Sequence, residues 1–233
     1  MSFIVYDEWL SKIIGKKAYN LQNSFNVISK EYFPKDEIFI WTKIPILETD
    51  KLINLQKLGF YIVDTNVQLS SKNFNHKYIN NDVRFAKPED EKSVKDIAKN
   101  SFELSRFHLD NQITQNTACK IKEEWAGNYF AGKRGKWMIV AEYKSTIVGF
   151  LQLLEKNNNT IVIDLVAVKK EHRGKGLAKN MIFFAYLNCL NNITKVEVGT
   201  QISNISSLNM YTKLGFFINS SSYVLHMHQK NQN

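Results

Sequence analysis

Cysteine is nearly missing from this chain: Cys119 and Cys189 are the two in 233 residues, far apart and outside any Cys-x-x-Cys spacing. That excludes a disulfide framework and a thiolate metal site, so the pair reads as reduced core thiols and no metal is expected. Proline occurs three times and glycine ten, too few for a collagen-like or Pro/Gly-rich linker chain. No apolar run approaches the eighteen or so residues of a membrane helix. The greasiest helical piece, Met181 to Leu187, ends at Asn188. The opening Met1-Ser2-Phe3-Ile4-Val5-Tyr6-Asp7-Glu8 meets an acidic pair before a leader's apolar core could form. A cytoplasmic location without membrane insertion is therefore predicted.

What is present is apolar residues at 44% and an excess of 31 basic over 22 acidic side chains, a net charge of +9. The first can fill a real core, and the second suits a ligand carrying several phosphates. The lysines are scattered rather than blocked, so nucleic acid is not an expected partner.

A polar stretch from Ser70 to Asp82 divides the chain. After it, Val83 to Ala86 alternates like a strand, and Val94, Ile97, Ala98 and Phe102 recur at helical spacing. A second helix carries Ala118, Ile121, Trp125 and Tyr129 on one face. Three strands follow over Lys136 to Tyr143, Ile147 to Leu154 and Thr160 to Val168. They are joined by Lys144-Ser145-Thr146 and by Asn157-Asn158-Asn159, where asparagine tolerates positive φ. A helix to about Asn191, a strand over Lys195 to Thr200, a helix from about Asn204 to Gly215 and a strand-like tail from Phe216 to His228 complete the order. One internal echo stands out: Lys57-Leu58-Gly59-Phe60-Tyr61-Ile62 recurs as Lys213-Leu214-Gly215-Phe216-Phe217-Ile218. Each copy follows an apolar helical stretch and leads into a strand, which suggests a degenerate partial copy of the chain's end at its beginning.

Val166-Ala167-Val168-Lys169-Lys170-Glu171-His172-Arg173-Gly174-Lys175-Gly176-Leu177-Ala178 reads as a strand, a basic glycine-bearing turn and a helix. Unpaired N–H groups and the dipole of a helix start attract anions, and glycine lets the backbone close on a pyrophosphate. A triphosphate loop would need Gly-x-x-x-x-Gly-Lys-Ser/Thr and a dinucleotide loop a third glycine. Neither pattern is present, since Gly176 is followed by Leu177, Ala178 and Lys179.

The turn resembles the coenzyme A loop of the GCN5-related N-acetyltransferases (GNAT), Gln/Arg-x-x-Gly-x-Gly/Ala, with Glu171 departing from the first position. That resemblance implies an α/β fold on a mixed sheet with acetyl-CoA as co-substrate. It places the coenzyme on Val166, Ala167, Val168, Arg173, Gly174, Lys175, Gly176, Leu177 and Ala178. Asn204 to Phe216 is similar to the family's Asn-x-x-Ala-x-x-x-Tyr-x-x-x-Gly-Phe, with Ser207 at the alanine position. By that match Asn204 binds the pantetheine arm and Tyr211 protonates the leaving thiolate. A tyrosine is protonated at neutral pH, yet its pKa of about 10 is near enough to a thiol's to share a proton. Asp164, an acid inside the apolar run Ile161 to Val166, reads either as the base that deprotonates the incoming amine or as a structural carboxylate.

Beyond the common core, the chain is similar to the nucleotide-sugar N-acetyltransferases acting on TDP-4-amino-4,6-dideoxyhexoses. The likeness is carried by Leu55-Gln56-Lys57-Leu58-Gly59-Phe60, Ser101-Phe102 with Ser105-Arg106-Phe107, Glu124-Trp125, and Thr200-Gln201 leading through Asn204 to Tyr211. It implies an N-terminal partial GNAT-like subdomain over 1–75, a catalytic domain over 83–230, and direct acetyl transfer to a sugar amine for surface-polysaccharide synthesis. Arg106 and Trp125 would then meet the sugar nucleotide, at its phosphate and at a ring. Another small amine or a protein N-terminus as acceptor, and a non-catalytic acyl-CoA-binding module, stay as alternatives; a homodimer is left open.

Overall fold

The computed structural model describes residues 3–72, 82–157, 159–189 and 194–230. Among these, the chain runs β1 (Ile4–Tyr6), α1 (Glu8–Ile14), β2 (Lys17–Leu21), β3 (Ile38–Pro45), α2 (Thr49–Lys57), β4 (Tyr61–Ser71), β5 (Val83–Phe85), α3 (Glu91–Ser101), α4 (Gln115–Phe130), β6 (Trp137–Tyr143), β7 (Thr146–Asn157), β8 (Thr160–Val168), α5 (Leu177–Asn188), β9 (Lys195–Gln201), α6 (Ile205–Lys213) and β10 (Phe217–Gln229). All ten strands join one mixed sheet in the order β1-β2-β3-β10-β4-β9-β8-β7-β6-β5. The α/β class expected from the loop motif is the class observed.

The second half follows its expected order closely. The helical stripe Val94, Ile97 and Ala98 is fully buried, and so are Ala118 and Ile121 of α4. The β6–β7 turn falls at Lys144 and Ser145, whose φ angles of 49° and 60° are the positive ones among described non-glycine residues. The tripeptide expected to turn between β7 and β8 includes Asn158, which lies outside the described residues, as do 190–193 at the expected end of α5. Most of the expected divider, residues 73–81, lies outside them too, while Ser70 and Ser71 are buried at the end of β4.

The internal echo maps onto two interleaved units. In β3-α2-β4 and in β9-α6-β10 a strand, a helix and a second strand follow in turn. β10 pairs antiparallel with both β3 and β4, and β4 pairs antiparallel with both β10 and β9. Each unit's two parallel strands therefore hold between them the last strand of the other. The helix ends match atom for atom: Gly59 N donates to Gln56 O and Phe60 N to Leu55 O, as Gly215 N donates to Thr212 O and Phe216 N to Tyr211 O. These bonds satisfy the last carbonyls of each helix and turn the chain into its strand.

A buried polar group pins β10 from one side. Asp110, on the segment before α4, accepts from His226 Nδ1 at 2.6 Å and His228 Nε2 at 2.9 Å through one carboxylate oxygen. Its other oxygen accepts from Tyr61 Oη at 2.8 Å and Gln112 N at 2.9 Å. All three side chains are almost without solvent. The four donors hold the Asp110 carboxyl well below the usual carboxylate range despite burial, while burial keeps the His226 imidazole neutral. A histidine whose folded pKa lies below its unfolded value costs stability as pH falls through that unfolded value, near 6.5. The aspartate's contribution is present above its ordinary value and lost further below it. Asp110→Ala leaves two buried imidazole donors unpaired, together with the Tyr61 hydroxyl and the Gln112 N–H, so a loss of about 3 to 5 kcal/mol is expected in urea melts at pH 7. Unchanged melts would show that the group carries no weight in the fold.

Candidate active site

The ladder between β8 and β9 runs from Thr160/Lys195 to Ile163/Val198 and ends there, although β8 continues to Val168 and β9 to Gln201. Each strand stays with its outer neighbour past this point: Val168 still opposes Gly149 of β7, and Gln201 still opposes Asn66 of β4. The two parallel strands thus diverge, and a cavity of about 720 Å³ opens at their ends.

Among the residues expected to hold coenzyme A, Val166, Ala167, Val168, Arg173, Gly174, Gly176, Leu177 and Ala178 line this cavity, and Asn204 does so from the opposite side. Gly174 and Gly176 have φ of 76° and 79° with nothing within 4 Å of where a Cβ would stand. The left-handed backbone demands glycine at both positions and leaves open room for an anion. Gly176 also caps α5, whose first N–H groups have no partner within the helix. The loop therefore fits a pyrophosphate.

Arg173 is partly committed elsewhere: its Nε donates to Val168 O at 3.0 Å and its Nη2 to Ser101 O at 2.9 Å, tying the loop to the end of α3. Lys175 is exposed and sits 5.5 Å from the Tyr143 ring, off the cavity wall. Glu171 is exposed and off the wall as well, so the departure from the motif falls where no lining residue is replaced.

Asn204 caps α6, accepting from Ser207 N through Oδ1 at 3.2 Å, so its amide NH₂ is left for the cavity. Tyr211 is 2% exposed, packs edge-on against Phe216 at 5.2 Å and is not itself in the cavity wall, to which the neighbouring Met210 and Leu214 belong. Burial pushes the Tyr211 phenol upward, so it stays a proton donor at any working pH.

Asp164 sits elsewhere. It is the extra residue of a β-bulge, because Gln152 opposes Leu165 while Leu153 opposes Ile163. Its carboxylate accepts a fork from Arg134 at 2.7 and 2.7 Å, Trp125 Nε1 at 2.9 Å and Gln152 Nε2 at 3.1 Å. Four donors occupy its lone pairs, and it is not in the cavity wall. Of the two readings of Asp164, this geometry is that of the structural carboxylate, and the role of proton acceptor is not carried further. Trp125, expected at the acceptor, spends its N–H on Asp164 and packs against Trp9 at 6.0 Å, away from the wall.

Arg106 is also behind the wall, with its guanidinium 3.8 Å above the Trp41 ring and 4.4 Å from the Phe107 ring. Its Nη1 is buried without a hydrogen-bond partner, and burial pulls its pKa down to about 9 against the pull of Asp7 and Asp64. The sequence reading did not single out Arg134, which holds Asp164, whereas Gln201, quoted among the residues of the likeness, lines the cavity. An unpaired acid inside an apolar strand was the signal that a long-range cation had to exist.

Because Asp164 joins β8 to α4 and to Arg134, Asp164→Asn is expected to lower stability by about 1 to 3 kcal/mol in denaturant unfolding. A variant of native stability would contradict the anchoring role.

Residues 94–216, just over half of the chain, match the family described as Acetyltransferase (GNAT) family. Over 96% of its length the chain is 27% identical to spore coat polysaccharide biosynthesis protein SpsD of Bacillus subtilis (strain 168), covering 83% of that protein. Over 80% of its length it is 26% identical to dTDP-fucosamine acetyltransferase of Escherichia coli O6:H1, covering 80% of it. The fold is similar to the crystal structure of a GCN5-related N-acetyltransferase from Sphaerobacter thermophilus, with a TM-score of 0.54 at 14% identity over 85% of this chain and 62% of that one. The splayed strands, the glycine loop and the family match agree: the chain belongs to the GNAT acetyltransferases, whose acetyl donor is generally acetyl-CoA.

Proposed function

We propose that the chain moves acetyl from acetyl-CoA directly to the amine of a nucleotide-linked amino sugar of the TDP-4-amino-4,6-dideoxyhexose type, for surface-polysaccharide synthesis. The observation that carries this reading is the glycine loop at the parted ends of β8 and β9, with Arg106, behind the cavity wall, as the candidate for the acceptor's phosphate. Its guanidinium lies against the Trp41 and Phe107 rings, and although Asp7 and Asp64 act on its charge, the buried Nη1 has no hydrogen-bond acceptor. A sugar nucleotide's diphosphate supplies one, and bidentate phosphate recognition is what arginine does best. The names of the two relatives, which span 96% and 80% of this chain, point the same way.

In this reading the loop from Arg173 to Ala178 and the first turn of α5 hold the pyrophosphate, and Asn204 holds the arm. Residues 83–230 form the catalytic domain. Residues 1–75 are a degenerate partial copy of the β9-α6-β10 end unit, a reading supported by the interleaved strands and the matched helix ends. The amine attacks the thioester carbonyl, an oxyanion forms, and Tyr211 gives its proton to the departing sulfur. A phenol kept protonated by burial is suited to that one task.

Thiol release measured with TDP-4-amino-4,6-dideoxyhexoses beside a panel of aminoglycosides, polyamines and peptides tests the acceptor. Turnover is expected with a nucleotide sugar, and none with any of them would sink this reading. Tyr211→Phe is expected to keep acetyl-CoA affinity by calorimetry and to lose about 10²-fold in kcat. Arg106→Ala is expected to raise KM for the sugar nucleotide by about 10- to 100-fold while the KM for acetyl-CoA stays put. Equal effects on both KM values would remove Arg106 from the acceptor.

A further inference from the structure

An acceptor amine arrives largely protonated and must lose a proton before it attacks, so the cavity needs an acceptor, and Asp164 is spent on Arg134. The wall holds Glu103, which is exposed, and His172, which belongs to the donor loop and packs against Tyr143. It also holds Ser105. That serine is 5% exposed, lines the cavity, and has its Oγ 2.6 Å from Nδ1 of His108, itself 8% exposed.

We propose that Ser105 and His108 are the proton relay of acetyl transfer: Ser105 meets the amine at the cavity wall and His108, one bond behind it, receives the proton. The proposal rests on the amine-acetylation reading above.

Three bonds fix this pair. The His108 backbone N donates to Ser105 O at 2.8 Å, Gln115 Nε2 donates to His108 O at 3.3 Å, and His108 Nε2 lies 3.7 Å from Cys119 Sγ on α4. With the ring proton on Nε2 and directed at that sulfur, Nδ1 is left as the acceptor of the Ser105 hydroxyl, and the hydroxyl oxygen is left to face the cavity. The charged groups around the ring are Lys122 from α4 and Glu103 from its own segment. Burial, with help from Lys122 and against Glu103, brings the imidazole down to about 4. It is thus unprotonated and available throughout the range in which an amine carries its proton. A base this weak takes the proton uphill, and the attack that follows draws the step forward.

The protons balance. The ammonium gives one to Ser105 Oγ as the serine passes its own to His108 Nδ1, and the nitrogen forms its bond to the thioester carbon. When the C–S bond breaks, the thiolate takes a proton from Tyr211, which the nitrogen's second departing proton restores. The imidazolium returns its proton to solvent, so one thiol and one free proton leave for each amide made. No atom of the enzyme is acetylated.

The test is thiol release by the full chain with saturating acetyl-CoA and the amine panel between pH 6 and 9.5, on wild type, Ser105→Ala, Ser105→Thr and His108→Gln. At pH 7, Ser105→Ala and His108→Gln are expected to lose about 10²-fold in kcat with KM for acetyl-CoA unchanged. Ser105→Thr, which keeps the hydroxyl, is expected to retain most of the rate. Toward pH 9.5, where the amine arrives already deprotonated, the deficit is expected to shrink to less than about tenfold. A deficit equal at every pH would mean a merely structural pair and overturn the relay. So would a wild-type rate in both variants, or the pH signature appearing in Glu103→Gln and not in Ser105→Ala. If wild type releases thiol with no amine at all, the acceptor reading falls and the relay with it; if wild type turns over and the variants match it, the relay alone falls.

Discussion

Everything at the active end of this molecule depends on two parallel strands ceasing to pair. β8 and β9 share a ladder only as far as Ile163 and Val198. Beyond it, backbone N–H and C=O groups that a sheet would satisfy face a cavity instead, and such groups demand partners. A polar, extended arm carrying amides is the partner their spacing suits, because it can stand in for the missing strand. The parting is stable because neither strand is lost from the sheet: β7 holds one and β4 the other to their ends. The N-terminal segment is therefore no appendage. Its β4 keeps β9 in place on the far side of the gap, and β10 in turn is gripped between β3 and β4.

The interleaving also explains why half of the fold was legible in sequence and half was not. From Val83 to Val168 the strands after the first pair with neighbours next in the chain, and alternation or a 3.6-residue stripe gave the elements and their order. In the first seventy residues the echo at Gly59 was readable because a helix end imposes a local pattern. The insertion of β10 between β3 and β4, and the parallel pairing of β2 with β3, rest on contacts with residues far away in sequence. No local spacing encodes these.

The candidate site divides in the same way. A glycine loop is local chemistry: the backbone must turn left-handed at Gly174 and Gly176, only glycine does so cheaply, and the motif says so directly. Side chains that act through a partner are different. Asp164 could be read either as a base or as a structural carboxylate because its partners lie on α4, on β7 and at Arg134, 12 to 39 residues away. A charge inside an apolar strand announces that it is paired but not with what. Arg173 gave the converse surprise, since a loop arginine that seemed made for phosphate also spends two donors on the carbonyls of Val168 and Ser101.

Those two arginine bonds and the Asp110 group together fasten one wall of the cavity. The segment from Ser101 to Gln112 is fastened at its start to the glycine loop through Arg173, in its middle to α4 through His108 and Cys119, and at its end to β10 and β4 through Asp110. Ser105 and Arg106 lie between these fastenings, so their positions are set by bonds to the glycine loop, α4, β10 and β4. Positioning to within a fraction of an ångström is what separates a rate from mere binding. A chain with no disulfide obtains it here by burying a carboxylate under two imidazoles and a phenol. The same choice ties the precision of the wall to pH, because His226, held neutral by burial, costs the fold stability as pH falls through the ordinary histidine value.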